Sequence, residues 1–204
     1  MPKRGLIHGP LGPDAVHLCV DMQRLFGAGS PWEVLWMERI LPEVASLCAH
    51  RPERTVFTRF IPAARPEEAR GSWRRYWRKW EAVTLRRIGA EMVDLLPALA
   101  RFVPPAQVVD KRVYSPWLDP ALDGVLRGMG TDTLIVTGGE TDVCVLATAL
   151  GAVDRGFRLV MVADALCSSS DRTHDDLMEV YLRRFSVQIE IADAAQVREG
   201  WGRE

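Results

Sequence analysis

The stretch TLIVTGGETDVCVLATALGAVDRGF, from Thr133 to Phe157, predicts a buried strand, a sharp glycine turn and a helix in immediate succession. Its short apolar run does not alternate with polar residues, which is typical of a strand buried on both faces of a parallel sheet. Gly138 and Gly139 end this strand, and Gly156 is suited to the left-handed conformation that ends the helix. The segment therefore predicts the repeating unit of an α/β protein.

The helix of this segment carries a cysteine near its start. Thr141 or Asp142 can cap the helix, which places Cys144 in its first turn. The partial positive charge at a helix N-terminus favours thiolate over thiol, so Cys144 is a candidate nucleophile. The alternative is an inert buried cysteine, since free cysteines are among the most buried residue types.

Composition limits the possible classes of protein. A chain of 204 residues with 48% hydrophobic content is long enough for a sizeable core, and we interpret residues 1–204 as a single domain. The net charge of -1 provides no field that would attract nucleic acid or an anionic membrane. No apolar run is long enough to span a bilayer, and the basic N-terminus lacks the apolar core of a secretory signal. We therefore expect a cytoplasmic protein that binds neither nucleic acid nor membrane.

The four cysteines are far apart in the sequence and form no CxxC pair, which argues against a zinc site and against a disulfide framework. They are Cys19, Cys48, Cys144 and Cys167. Reduced thiols are expected.

Strand patterns alternate with helix patterns along the chain. Strands are expected at residues 15–20, 55–58, 107–109, 134–136, 158–162 and 187–191, and helices at 35–50, 91–100, 118–127 and 173–183 as well as after residue 140. This order predicts an open, mostly parallel sheet with helices on both faces.

Three chemically complementary side chains lie at or just after the carboxyl ends of predicted strands: Asp21, Lys111 and Cys144. In open α/β sheets ligands bind at this edge, so the three groups are expected to meet there. Taken alone, Asp21 could equally be a helix cap or an ion-pair partner. The chain has neither GxGxxG after its first strand nor GxxxxGK[ST]. The sequence therefore does not support dinucleotide binding or nucleotide binding by a P-loop.

The segment from about residue 66 to residue 87 departs from the α/β pattern. It places Trp73, Tyr76, Trp77 and Trp80 on one face of a helix and basic residues on the other. Such a helix can bind single-stranded nucleic acid or lie on a membrane. Because no wider basic patch surrounds it, we favour packing against the domain, a second subunit or the mouth of an active site.

Four motifs give the chain a resemblance to the isochorismatase-like cysteine hydrolases, which include nicotinamidases and N-carbamoylsarcosine amidohydrolase. They are VDMQRLF at Asp21, VVDKRVYS at Lys111, GGETDVCVLATALGAVDRG at Cys144 and the later ADALCSSSD. The resemblance covers residues 15 to about 191. It implies a three-layer α/β fold with a mostly parallel sheet of about six strands.

The resemblance also implies roles for individual residues. Asp21, Lys111 and Cys144 correspond to the catalytic aspartate, lysine and cysteine, and the backbone N–H groups of Glu140 and Cys144 to the oxyanion hole. A cis peptide is implied between Gly139 and Glu140. The expected activity is hydrolysis of an amide or carbamoyl C–N bond of a small molecule through a thioester, without a cofactor.

Departures from the family pattern narrow the choice of activity and of metal requirement. Where nicotinamidases supply an aspartate and then a histidine to a metal ion, this chain has Phe60 and Pro62, neither of which binds metals. We therefore expect no metal. Isochorismatases that cleave a vinyl ether typically lack the cysteine, so Cys144 favours amide hydrolysis over this alternative. A non-catalytic binding protein on the same fold is a further alternative, although all three catalytic positions are intact.

Substrate contacts are expected from a set of aromatic residues and one arginine near the predicted site: Phe26, Arg59, Trp77, Trp80, Tyr114 and Trp117. Phe26 and Trp117 could instead belong to the core, and Arg59 could bind a substrate carboxylate. The expected partner is a small amide or ureide, and the expected assembly is a homodimer or homotetramer.

Overall fold

The computed structural model describes residues 4–202, and its centre is a six-stranded sheet. The strands are β1 Val16–Val20, β2 Thr55–Phe60, β3 Gln107–Lys111, β4 Thr133–Gly139, β5 Arg158–Cys167 and β6 Ile189–Ala192. All neighbouring strands are parallel, in the order β3-β2-β1-β4-β5-β6. The predicted α/β class and parallel sheet are confirmed.

Helices cover both faces of this sheet. They are α1 Met37–His50, α2 Gly71–Lys79, α3 Leu85–Ile88, α4 Pro97–Ala100, α5 Pro120–Met129, α6 Cys144–Asp154, α7 Asp171–Arg184 and α8 Ala194–Gly200. Residues of α1, α4 and α8 share one apolar cluster, and residues of α5, α6 and α7 share the other. Successive residues of β1 alternate between the two clusters, because a strand directs its side chains to opposite faces. Among residues 4–202 no helix is both long and apolar enough to cross a membrane.

The strand order changes direction between β1 and β4, and this switch point depends on a glycine. Gly138 has a φ of 101°, and a Cβ at this position would lie 2.1 Å from the carbonyl oxygen of Val20. Only glycine allows the two strands to approach this closely. The carboxyl ends of β1 and β4, which lead to Asp21 and Cys144, are thereby held side by side.

Several predicted boundaries were wrong. The expected helix at 91–100 is instead a short 3-10 helix, Ala90–Val93, followed by the single turn of α4, because Pro97 cannot continue a helix begun earlier. Strand β5 extends beyond the expected residue 162 to Cys167. Helix α8 was not predicted, although Asp193 and Gln196 form a capping box at its start.

The cap predicted for α6 was also wrong. Val143 is the N-cap residue and forms no side-chain cap bond. The hydroxyl of Thr141 donates instead to the carbonyl of Cys167, and Asp142 accepts a hydrogen bond from Ser168. Cys144 nevertheless lies in the first turn of the helix, as predicted, and is its first residue.

Candidate active site

Asp21, Lys111 and Cys144 meet at the carboxyl edge of the sheet. The Nζ atom of Lys111 lies 2.6 Å from Oδ2 of Asp21 and 3.3 Å from Sγ of Cys144. It also donates to the carbonyl of Val113 at 3.2 Å. The ammonium group therefore donates hydrogen bonds to Val113 and Cys144 and forms a close ion pair with Asp21, which fixes the lysine between the acid and the thiol.

The carboxylate of Asp21 is held by strand β2. Oδ1 of Asp21 accepts a hydrogen bond of 2.7 Å from the hydroxyl of Thr58, and the backbone N–H of Asp21 donates to the Thr58 carbonyl at 3.2 Å. Asp21 has a φ of 51°, which is uncommon outside glycine but several-fold more frequent for aspartate and asparagine. Thr58 is thus a site residue that the sequence did not reveal, although its register with Val20 places it beside Asp21.

The charges of Lys111 and Cys144 follow from their burial and from the charge of Asp21. Burial lowers the pKa of Lys111, but attraction to Asp21 and to the Cys144 sulfur outweighs it, so the pKa is raised above its ordinary value and the lysine stays protonated. Burial raises the pKa of Cys144, the charge of Asp21 raises it further, and Lys111 offsets only part of the shift. The expected preference for thiolate is therefore wrong in this environment. A protonated thiol therefore lies beside the carboxylate of Asp21, which can accept its proton.

The turn between β4 and α6 presents two free donors. The peptide between Gly139 and Glu140 is cis, as the sequence predicted. The carbonyl of Glu140 accepts from the N–H groups of Val143 and Val145, whereas the N–H groups of Glu140 and Cys144 donate to no other residue within 4–202. The Cys144 N–H has no acceptor inside the helix because Cys144 is its first residue. These two N–H groups are available to an oxyanion.

Backbone groups at and after the end of β5, together with side chains of α7, fix the same turn. The hydroxyl of Thr141 donates to the Cys167 carbonyl at 3.1 Å and lies 2.9 Å from Nδ1 of His174. The Tyr181 hydroxyl donates to the Thr141 carbonyl at 3.1 Å. Oε1 of Glu140 accepts from the backbone of Ser169 at 2.9 Å. The turn is therefore fixed by hydrogen bonds both to the chain at and after the end of β5 and to α7.

A cavity of about 380 Å³ opens above Cys144, which lies at its base with 8% of its surface exposed. Most of the side chains around it are aromatic or aliphatic. The lining comprises Phe26, Pro31, Trp32, Glu33, Val34, Phe60, Tyr76, Trp80, Tyr114, Glu140, Val143 and Ser169. An apolar pocket with a few polar groups is typical of a small-molecule site.

Three of the predicted substrate contacts line this cavity: Phe26, Trp80 and Tyr114. The aromatic face of α2 contributes Tyr76, and Trp80 directly follows the helix. The interpretation of this helix as part of an active-site mouth thus agrees with its position. Trp32 and Tyr76 were not among the predicted contacts. Trp32 lies in the loop that follows β1, so the rule that selected Asp21 could also have identified it.

The other three predicted contacts do not line the cavity. Nε and Nη2 of Arg59 donate to the carboxylate of Asp110 at 2.7 Å and 3.0 Å, and Nη1 donates to the carboxylate of Asp94 at 3.4 Å. Trp77 is buried beneath the lining and stacks on Phe60 with ring centroids 5.9 Å apart. It therefore supports the wall without forming it.

Trp117 does not line the cavity and instead lies in the apolar cluster that α6 shares with the sheet. Its Nε1 donates to the Thr148 carbonyl at 2.9 Å, and a Cβ on Gly151 would lie 2.1 Å from its ring. Trp117 is therefore a core residue under α6, the alternative that the sequence left open.

The positions that would supply metal ligands in nicotinamidases are apolar here. Phe60 faces the cavity, with Lys111 Nζ 5.2 Å from its ring centroid, and Pro62 is buried. Over residues 4–202 no three histidine, cysteine, aspartate or glutamate side chains are grouped so that they could hold a metal ion. Metal independence remains a prediction.

Comparisons with known proteins give the family and the fold of this chain. The isochorismatase domain model matches residues 15–193. An uncharacterized isochorismatase family protein of Bacillus subtilis (strain 168), YwoC, is 33% identical over 82 residues, which are 37% of this chain and 43% of that protein. The match thus spans less than half of this relative's length.

Two solved structures share the fold. A cysteine hydrolase from Pseudomonas syringae pv. phaseolicola 1448A has a TM-score of 0.81 and 22% identity, with 98% of each chain covered. N-carbamoylsarcosine amidase from Thermoplasma acidophilum has a TM-score of 0.70 and 20% identity, with 88% of this chain and 96% of that chain covered. With the domain match over most of its length, the chain belongs to the isochorismatase-like hydrolase family.

Proposed function

We propose that this protein is a cysteine hydrolase that cleaves an amide or carbamoyl C–N bond of a small molecule through a thioester. The observation that carries the proposal is the contact of Lys111 with both Asp21 and Cys144, at 2.6 Å and 3.3 Å, at the base of the cavity. An acid, a cation and a thiol in contact are the groups that acyl transfer to sulfur requires.

In the first half of the reaction Asp21 takes the thiol proton as the Cys144 sulfur attacks the substrate carbonyl. The negative charge that develops on the carbonyl oxygen is stabilised by the N–H groups of Glu140 and Cys144. Protonated Asp21 then gives its proton to the leaving nitrogen, the C–N bond breaks, and ammonia or an amine departs. The acyl group remains on Cys144 as a thioester.

In the second half a water molecule attacks the thioester. Asp21 takes a proton from this water, and the same two N–H groups stabilise the second tetrahedral intermediate. The C–S bond then breaks, the acid product leaves, and the proton on Asp21 returns to the sulfur. Lys111 keeps its charge throughout, so that it balances Asp21 when Asp21 is ionised and the sulfur when the sulfur is ionised.

Two features favour this reaction over hydrolysis of a vinyl ether. The raised pKa of Cys144 makes a base necessary for attack by sulfur, and Asp21 is placed to be that base. The two free N–H groups are suited to a carbonyl oxygen that becomes anionic. Ether cleavage by protonation would use neither the thiol nor this pair of donors.

The direct test is release of ammonia from a panel of primary amides, ureides and N-carbamoyl amino acids. Activity should be lost in Cys144→Ala and, with an active substrate, mass spectrometry of the quenched enzyme should find the acyl group on the peptide that contains Cys144. Cys48→Ala is the matched control, because Cys48 is also buried but lies away from the cavity. A hydrolase activity that survives in Cys144→Ala would refute the thioester mechanism.

A further inference from the structure

We infer that the cavity selects an amide whose non-reacting part carries a positive charge, of the substituted-ammonium type, and discriminates against one that carries a carboxylate. The inference rests on the proposed function and specifies the substrate class of the same site. It follows from two properties of the cavity lining, namely the angles between its aromatic rings and the sign of its charges.

Several of the aromatic walls meet at steep angles, although Trp32 lies at 12° to Phe26 and at 36° to Phe60. The ring of Trp32 is at 82° to that of Trp80, with centroids 5.6 Å apart, and at 61° to that of Tyr76, with centroids 6.1 Å apart. Tyr114 adds a further ring, at 85° to Tyr76. Parallel rings suit a flat group between them, whereas rings at steep angles enclose a rounded group. Aromatic cages of this kind bind substituted ammonium groups through the negative faces of their rings.

The charged groups of the lining are both acidic. Glu33 and Glu140 line the cavity, and no lysine, arginine or histidine among residues 4–202 does so. Oε1 of Glu140 is bound by the Ser169 backbone and Oε2 of Glu33 by the Gly29 backbone, so each carboxylate is held in place by a neutral donor. No cation of the protein neutralises these two carboxylates by an ion pair within the described residues.

Two cations near the cavity are already paired with acidic side chains, and Lys79, which is not part of the lining, lies over the Trp80 ring with its Nζ 5.2 Å from the centroid. Lys111 lies beneath the cavity, only 2% exposed, and is already paired with Asp21. Arg59, which the sequence suggested for this role, is held by Asp110 and Asp94. A carboxylate in the cavity would therefore lose hydration next to two like charges without gaining a cationic partner among the residues that line it.

The test compares two thiol reagents of equal reach and opposite charge, trimethylammonioethyl methanethiosulfonate and sulfonatoethyl methanethiosulfonate. The sulfur of Cys144, after loss of its proton, attacks the sulfenyl sulfur of the reagent. A disulfide forms and methanesulfinate leaves, so that the thiol is oxidised and the sulfonyl group reduced. Labelling needs no turnover, so this test and the ammonia assay can fail independently.

The rate at which each reagent modifies Cys144 is measured by peptide mass. The rate of the cationic reagent is divided by that of the anionic reagent, and this ratio is then divided by the same ratio for free 2-mercaptoethanol. We expect a normalised ratio of about five or more, the effect of one or two cation–π contacts at a partly exposed site. It should fall in Trp80→Leu, which removes a wall, and in Glu33→Gln, which removes a charge. A normalised ratio that does not exceed one would overturn the inference.

The control is Glu38→Gln, which changes the net charge by the same amount at an exposed position on α1 outside the cavity. Its ratio should equal that of the unmodified protein. Because Trp80 and Glu33 are both at the surface, neither change should prevent folding, and circular dichroism verifies this. If both variants keep the wild-type ratio, the preference does not come from the cavity and the inference fails.

Discussion

Lys111 Nζ lies 2.6 Å from Asp21 Oδ2, and the two side chains are exposed over only 2% and 1% of their surfaces. Removal of one partner leaves the other charge buried without compensation. We expect Lys111→Met to lower the free energy of unfolding by about 3–5 kcal/mol, measured by urea denaturation.

The double variant Asp21→Asn/Lys111→Met should recover much of this loss, because it removes both charges and leaves no isolated ion. Both variants should be inactive in the ammonia assay. If Lys111→Met were as stable as the unmodified protein, the contact between Lys111 and Asp21 would not be a mutually compensated pair of buried charges, and the support that this pair gives to the proposed mechanism would be lost.

Cys144 is expected to be the thiol that iodoacetamide modifies fastest in the native protein. It is 8% exposed at the base of the cavity, whereas Cys19, Cys48 and Cys167 are completely buried. Peptide mass mapping after short exposure measures the four rates. Equal modification of any other cysteine would remove the case for Cys144 as the nucleophile.

Thr58→Val is expected to lower kcat about tenfold with little effect on KM. The change keeps the shape of the side chain but removes the hydroxyl that donates to Asp21 Oδ1 at 2.7 Å, and a hydrogen bond to a charged group contributes about 1.5–3 kcal/mol. Thr55→Val is the matched control on the same strand, where the hydroxyl donates to the carbonyl of Arg51. Equal losses in both variants would show a general effect on β2 rather than on Asp21.

Stability should depend on pH through a histidine that is remote from the cavity. Burial lowers the pKa of His17 from 6.5 to about 3, and its Nε2 lies 2.7 Å from the Thr137 hydroxyl. The unfolded chain binds this proton below pH 6.5 and the folded chain does not, so stability is full above pH 6.5 and is lost as the pH falls towards 3.

Between pH 6 and pH 5 the contribution approaches about 1.4 kcal/mol per pH unit. The urea midpoint should therefore fall with pH in the unmodified protein and less steeply in His17→Gln. His8→Gln, at an exposed histidine, is the control and should keep the full slope. The same slope in all three proteins would show that His17 is not the group that titrates.

Activity should persist after exhaustive treatment with EDTA and with dipicolinate. Phe60 and Pro62 stand where nicotinamidases supply metal ligands, and the proposed mechanism assigns every proton and charge to side chains and backbone. Elemental analysis of the purified protein should accompany the assay. A stoichiometric metal whose removal abolishes activity, and whose return restores it, would contradict the mechanism.

The sequence by itself was sufficient to predict the α/β class, the parallel sheet and the convergence of three residues. Short buried strands that alternate with helices allow few arrangements, and in a parallel sheet all carboxyl ends lie on one edge. Any polar residue that ends such a strand is therefore brought to that edge. This local rule, together with the motif resemblance, was enough to name Asp21, Lys111 and Cys144 and the cis bond before Glu140.

Only the tertiary structure decided which aromatic residues face the substrate. Trp77 and Trp80 are three residues apart on one stripe, yet Trp77 is buried against Phe60 and Trp80 lines the cavity. Helical spacing predicts on which side of the helix a residue lies, but not how deeply the neighbouring loop covers that residue. Here the loop brings Trp32 into contact with both Trp77 and Trp80.

The protonation state of the thiol likewise depended on the fold. The sequence indicated a helix N-terminus, which favours thiolate, but could not show how completely Cys144 is buried or that Asp21 is its neighbour. Desolvation and a like charge both disfavour the ionised sulfur, and Lys111 offsets only part of their effect. The position of a residue along the chain determines the helix dipole that acts on it. The pKa of a buried group also depends on the charges around it and on the exclusion of solvent, and both are established only when the chain folds.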